Sequence, residues 1–124
     1  MQTLVWLFLL SALLPFFAAL AAKAGGKGFT NEEPRPWLAQ LQGWRARANA
    51  AQANTFEALP FFYAAVLMAL YNKTDPADLV FLMVAWIVVR TVYIAVYISG
   101  HGLVRSLVWT LALGINIAIL FSIP

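Results

Sequence analysis

The stretch Trp44–Pro60, WRARANAAQANTFEALP, decides how this chain is read. Apolar sequence dominates on both sides of it, yet here two arginines, three amides and a glutamate crowd into one helical segment. The residues that follow, Phe61–Tyr71, are apolar throughout but too few to cross a bilayer alone. A span needs about 20 residues. Counting back from Tyr71 therefore carries Asn54 and Glu57 below the membrane surface. An ionisable side chain at that depth is costly and marks a candidate functional site.

Composition fixes the class around this segment. Of 124 residues, 63% are hydrophobic and 10% charged, against about half and a quarter in soluble proteins. The chain reads as one integral membrane domain. It has no cysteine, which excludes disulfides, thiolate nucleophiles and thiolate metal sites. With His101 as the single histidine, a histidine-built centre is also disfavoured, and no metal is expected. The net charge of +3 reads as membrane orientation, not as a nucleic-acid partner.

Working outward, residues 1–22 form an apolar run without a charge. No positive charge precedes the run, and it is longer than the apolar core of a signal peptide, so it reads as a transmembrane helix. Pro15 is a candidate kink. Residues 23–36 are punctuated by glycine and proline and read as a loop. A second helix is predicted from about residue 37 to 71, longer than the membrane is thick and bent at Pro60. The NKTD turn follows, with Thr74 or Asp75 as helix cap and Pro76 in the first turn. A third helix is predicted over about 76–99, a turn at Gly100–Gly102, and a fourth helix over about 103–122. The fold class is therefore all-α, a membrane four-helix bundle with both termini on one side. Lysine and arginine gather in the first and third loops, which puts those loops in the cytoplasm.

The short middle turn makes helices two and three antiparallel, so depth can be counted from it. Glu57 and Arg90 come out level at about 22 Å from the turn, where they are able to pair. Asn54 comes out level with Tyr93. Met83, Trp86, Arg90, Tyr93 and Tyr97 share one face of helix three, spaced by three or four residues. On helix two, Gln40, Arg47, Asn54 and Glu57 form one stripe, with Arg45, Asn49 and Gln52 nearly opposite. Two polar faces on an immersed helix point to contacts with its own bundle and with a second subunit. Asn116 reads as packing glue within helix four, His101 as a turn residue, and Trp37 and Trp44 as interfacial anchors.

Asn54-Thr-Phe-Glu57-Ala-Leu-Pro60, followed after a short hairpin by Arg90-Thr-Val-Tyr93-Ile-Ala-Val-Tyr97, resembles the MAPEG family. These are membrane-associated proteins in eicosanoid and glutathione metabolism, including microsomal glutathione transferases and leukotriene-forming synthases. The resemblance extends over essentially the whole chain and suggests a bacterial-type member, hence a bacterial inner membrane. It implies a homotrimer binding glutathione between subunits near the cytoplasmic face. By position, Asn54 and Glu57 resemble the residues that hold the peptide's polar groups. Arg90, Tyr93 and Tyr97 resemble further contacts, and Gln52 a neighbouring subunit's contribution. Arg105 is similar in placement to the arginine that stabilises the thiolate, with Tyr97 as a second catalytic candidate. Two departures stand out. Ala50 occupies a position where the family often has arginine, with Arg47 one turn earlier as candidate replacement, and Ala58 stands where an aromatic residue often follows the glutamate.

The resulting expectation is a glutathione-dependent transferase or peroxidase acting on lipophilic electrophiles or hydroperoxides, with glutathione as co-substrate and membrane lipid around it. The alternative is a non-catalytic scaffold or assembly subunit whose polar cluster only fixes helix register. A transporter is disfavoured, since one glutamate–arginine pair offers little of an ion pathway.

Overall fold

The computed structural model describes every residue from Met1 to Pro124 and contains five helices: α1 (Gln2–Lys23), α2 (Pro34–Ala39), α3 (Gly43–Tyr71), α4 (Pro76–Ser99) and α5 (Gly102–Leu120). All but α2 are long and apolar enough to cross a membrane. Pro15 and Pro60 both lie inside continuous helices, α1 and α3.

The single helix expected from about residue 37 to 71 is broken in two. Pro34 and Pro36 start the short α2, which stops at Ala39. Gln42 is then extended, and Gly43, the first residue of α3, takes a left-handed φ of 63°. That conformation is open to glycine without steric cost, so the chain turns here instead of continuing straight. The 29 residues of α3 still rise about 43 Å, more than the hydrocarbon thickness.

The first loop is a small folded unit. Trp37 Nε1 donates to the Lys27 carbonyl at 2.9 Å, and its ring meets Phe29 edge-on at 5.2 Å. Trp37 thus anchors the loop itself. Gly26 lies so close beneath that a Cβ there would sit 2.6 Å from the indole. Thr30 Oγ1 donates to Glu32 Oε2 at 2.7 Å, holding that carboxyl below the usual carboxylate range. Arg45 Nη1 reaches back to the Ala22 carbonyl at 3.0 Å, serving one of the acceptors that the end of α1 leaves open.

Helix α3 is central and touches α1, α4 and α5. Ala18 and Ala22 of α1 and Ala48 and Ala51 of α3 are fully buried; small residues of this kind let helix backbones approach closely in a membrane. Deeper in the bundle Phe62 stacks on Trp86, with ring centres 4.0 Å apart and planes 13° from parallel. Leu59, Val66, Leu79 and Met83 complete that core. The outer surface stays apolar, with Phe17, Leu67, Phe81 and Leu107 among the exposed side chains.

The middle turn is capped by Asp75, whose Oδ1 accepts from the Ala77 amide at 2.8 Å, with Pro76 in the first turn. The hydroxyl of Thr74, beside it, donates to the Ser122 carbonyl at 3.1 Å and ties this turn to the end of α5. At the other end Gly100 closes α4 at φ 87°. The two turns set α3, α4 and α5 side by side, which brings their polar residues together.

Candidate functional site

The polar cluster starts from Arg90, which α4 places on its buried face with 1% of its surface exposed. Its Nη2 donates to Asn54 Oδ1 at 2.9 Å and to Thr55 Oγ1 at 3.1 Å. Its guanidinium also lies 4.1 Å from the centre of the Tyr93 ring. None of these contacts goes to Glu57, so the pairing of Glu57 with Arg90 expected from depth is not formed. Two physical reasons account for this. The guanidinium rides on a long flexible stem, so the level of its backbone does not fix its partner. Along α3 the buried stripe runs through Ala51, Thr55, Leu59 and Phe62, and Glu57 is turned about 200° from Thr55. Glu57 is consequently exposed and makes no hydrogen bond within the chain.

Thr55 is the residue that sequence reasoning missed. Its hydroxyl also donates to the Ala51 carbonyl at 2.7 Å, leaving lone pairs for the arginine. The signal was available, since it is a hydroxyl residue in an otherwise apolar stripe.

Two neighbouring cavities open from this cluster. The first, about 460 Å³, is lined by Asn54, Tyr93, Tyr97, Arg105, Ser106, Trp109 and Thr110. Tyr93 and Tyr97 stand one helical turn apart on α4 and meet edge-on, 5.7 Å between ring centres. The Arg105 guanidinium, from the first turn of α5, sits 4.5 Å over the Tyr97 ring. A cation held on an aromatic face thus borders the cavity, with Arg90 behind it. The Ser106 and Thr110 hydroxyls donate to carbonyls of their own helix, Gly102 and Ser106. The second cavity, about 250 Å³, lies between the same three helices and is lined by residues including Asn54, Glu57, Trp86, Arg90, Trp109 and Asn116.

The structure therefore brings Asn54, Glu57, Arg90, Tyr93, Tyr97 and Arg105 to two adjoining cavities. Gln52 is not with them. It lines a separate groove with Arg35, Leu38, Asn49 and Phe56, on the other side of α3. Arg47 does not fill the place of a cation at Ala50: its Nε donates to the Ile98 carbonyl at 2.9 Å, and it packs against Gly100. Asn116 departs from the expected helix-packing role, since it is 4% exposed and its Oδ1 has no hydrogen-bond partner. Trp44, the other expected anchor, is exposed beside Arg45. His101 stays at the turn, its Nδ1 3.0 Å from the Ser99 hydroxyl. No group of three or more His, Asp or Glu side chains is arranged to hold a metal.

Chemically, the arrangement suits a ligand that is polar at one end and meets lipid at the other. Two guanidinium groups favour an anion, the tyrosine hydroxyls and the Asn54 amide offer further hydrogen bonds, and Glu57 offers a carboxylate to a cationic group.

Comparison with curated proteins and with solved structures finds no match. The family comparison does: the MAPEG family model matches residues 3–123, nearly the whole chain. Together with the four apolar helices, this makes the protein an integral, multi-pass membrane protein built as a four-helix bundle. The chain belongs to the MAPEG family.

Proposed function

We propose that the protein is a glutathione-dependent membrane transferase or peroxidase acting on lipophilic electrophiles or hydroperoxides. The observation that carries this reading is the Arg105 guanidinium held 4.5 Å over the Tyr97 ring, at a cavity that Asn54 and Tyr93 also line. A cation beside a thiol lowers its pKa, and the thiolate is the nucleophile. In the transferase reaction the thiol proton leaves, the sulfur attacks the electrophilic carbon, and the leaving group takes up a proton. In the peroxidase reaction the sulfur attacks the terminal peroxide oxygen, the O–O bond breaks, and an alcohol departs. A second glutathione thiol then resolves the oxidised sulfur to the disulfide with release of water. Arg105 stabilises the thiolate, and the Tyr97 hydroxyl donates to the developing oxyanion. Glu57 accepts from the peptide's ammonium group, and the Asn54 amide donates from its free Nδ2.

Glu57 lies exposed at membrane depth, where an unpaired carboxylate is costly, so this reading has a second copy or a bound peptide cover it. A homotrimer supplies the cover, and the groove around Gln52 is the surface a neighbouring subunit meets. The first and third loops, richer in lysine and arginine, face the cytoplasm, which puts the Arg105 cavity on the side where a soluble thiol arrives.

A scaffold role is the second reading, and one observation favours it. Arg90 and Asn54 are bonded to each other, as a register lock between α3 and α4 would be. Replacing Arg105 by alanine separates the two. On the enzymatic reading thiol-dependent turnover in membranes is lost while the assembly persists; an unchanged rate contradicts it.

A further inference from the structure

A separate cavity of about 380 Å³ opens between the first loop and the start of α3. Gly25, Gly26, Lys27, Gln40 and Arg45 form its polar walls, and Trp37 and Leu41 its apolar side. Two of these residues are cations and none is acidic. Lys27 and Gln40 are exposed and Arg45 is half-buried, so all three are open to a ligand.

The backbone shapes this space around the cations. Gly25 takes a left-handed φ of 68°, and a Cβ on it would stand 3.5 Å from Arg45 Nη2. The missing side chain therefore leaves room beside the guanidinium. Arg45 is held in place by Nη1, which donates to the Ala22 carbonyl at 3.0 Å, and by the Trp44 ring, 4.5 Å away. Its other nitrogens keep their donors for a ligand. The Gly26 amide bonds the Lys23 carbonyl, whereas the amides of Gly25 and Lys27 make no backbone hydrogen bond.

Position narrows the choice of ligand. The 22 residues of α1 rise about 33 Å, close to the thickness of the hydrocarbon layer. Its Lys23 end therefore comes at the level of the lipid headgroups. Arg45, bonded to Ala22, sits within one turn of that level. At this depth the abundant anion is phosphate, whose oxygens suit a guanidinium, an ammonium and amide N–H groups together. A zwitterionic headgroup also brings a cation, for which the cavity offers no carboxylate.

We infer that this cavity binds a phosphate group, that of an anionic lipid headgroup. Arg45 and Lys27 hold the phosphate oxygens, Gln40 donates from its amide, and Leu41 meets the start of the acyl chains. The site is independent of the thiol chemistry at Arg105, because none of its residues lines that cavity.

The test is native mass spectrometry of the detergent-purified protein, titrated with phosphatidylglycerol, phosphatidylcholine or glycerol 3-phosphate. Phosphatidylglycerol is expected to bind at least about fivefold more tightly than phosphatidylcholine. Lys27→Gln, a change at an exposed side chain, should weaken it about fivefold. Arg35→Gln removes a nearby charge outside the cavity and should leave it unchanged. Equal retention of the two lipids overturns the proposal. So does an equal effect of the two variants, which makes the attraction a diffuse property of the basic loop. Glycerol 3-phosphate binding as tightly as the lipid keeps the phosphate site but overturns its assignment to lipid, in favour of a soluble phosphate ester.

Discussion

Arg90 Nη2 donates to Asn54 Oδ1 at 2.9 Å across the contact between α3 and α4. This bond decides how the polar residues of the bundle divide their roles. With Asn54 and Thr55 holding Arg90, the cation is anchored within the chain, and Glu57 is left facing outward without a partner. A site with one secured cation and one unsecured carboxylate can hold the helices in register and still offer charge to a ligand.

Asn54→Ala should lower stability by about 1–3 kcal/mol, because a charged donor in a buried site loses its better acceptor. Thr55→Val should cost less, since Asn54 still accepts from the same nitrogen. Thermal unfolding of the detergent-solubilised protein, followed by circular dichroism, gives both values. The reverse order contradicts the assignment of Asn54 as the main partner.

Arg47 donates to the carbonyl of Ile98 in the last turn of α4. Arg47→Ala leaves that acceptor open and removes the side chain that packs on Gly100. The expected loss is about 1 kcal/mol, together with faster hydrogen exchange of the Gly100 and His101 amides. Unchanged exchange there means that the clamp does not hold this turn.

A methyl group at Gly26 meets the Trp37 indole at 2.6 Å. Gly26→Ala should therefore displace Trp37, break its bond to the Lys27 carbonyl and expose the loop to trypsin at Lys27. The four long helices do not depend on that contact, so unfolding of the bundle should stay within about 0.5 kcal/mol of the unaltered protein.

Much of this arrangement was legible in the chain, for reasons that particular residues make plain. The apolar runs and the Asp75-Pro76 start signal place the spans. The spacing of Arg90, Tyr93 and Tyr97 puts them on one face of α4. Arg105 follows a turn short enough to return it to that face. What the sequence hid depends on side-chain reach and on backbone torsion. The partner of Arg90 is set by where a long side chain bends, not by the level of its Cα. The break before Gly43 depends on a left-handed φ that glycine permits without requiring it. Asn116 and Trp86 look like ordinary bundle residues, and nothing in their spacing announces that Asn116 Oδ1 and Trp86 Nε1 are left without a hydrogen-bond partner.

If Arg105 stabilises a thiolate, removing its charge raises the thiol's pKa, and the pH at which turnover rises should move upward. Arg105→Ala should lower turnover at neutral pH by at least about tenfold, with partial recovery in alkaline buffer. Arg105→Lys keeps the charge and should retain more of the rate. A uniform loss at every pH contradicts thiolate stabilisation and assigns Arg105 to binding alone.

The most direct test of the central claim is calorimetric titration of glutathione into the detergent-purified protein, beside Glu57→Gln. The account predicts saturable binding, weakened about tenfold or more when the carboxylate becomes an amide. No heat of binding at millimolar glutathione, with the assembly intact, contradicts it. The missing cation at Ala50 then becomes the first residue to restore, by Ala50→Arg.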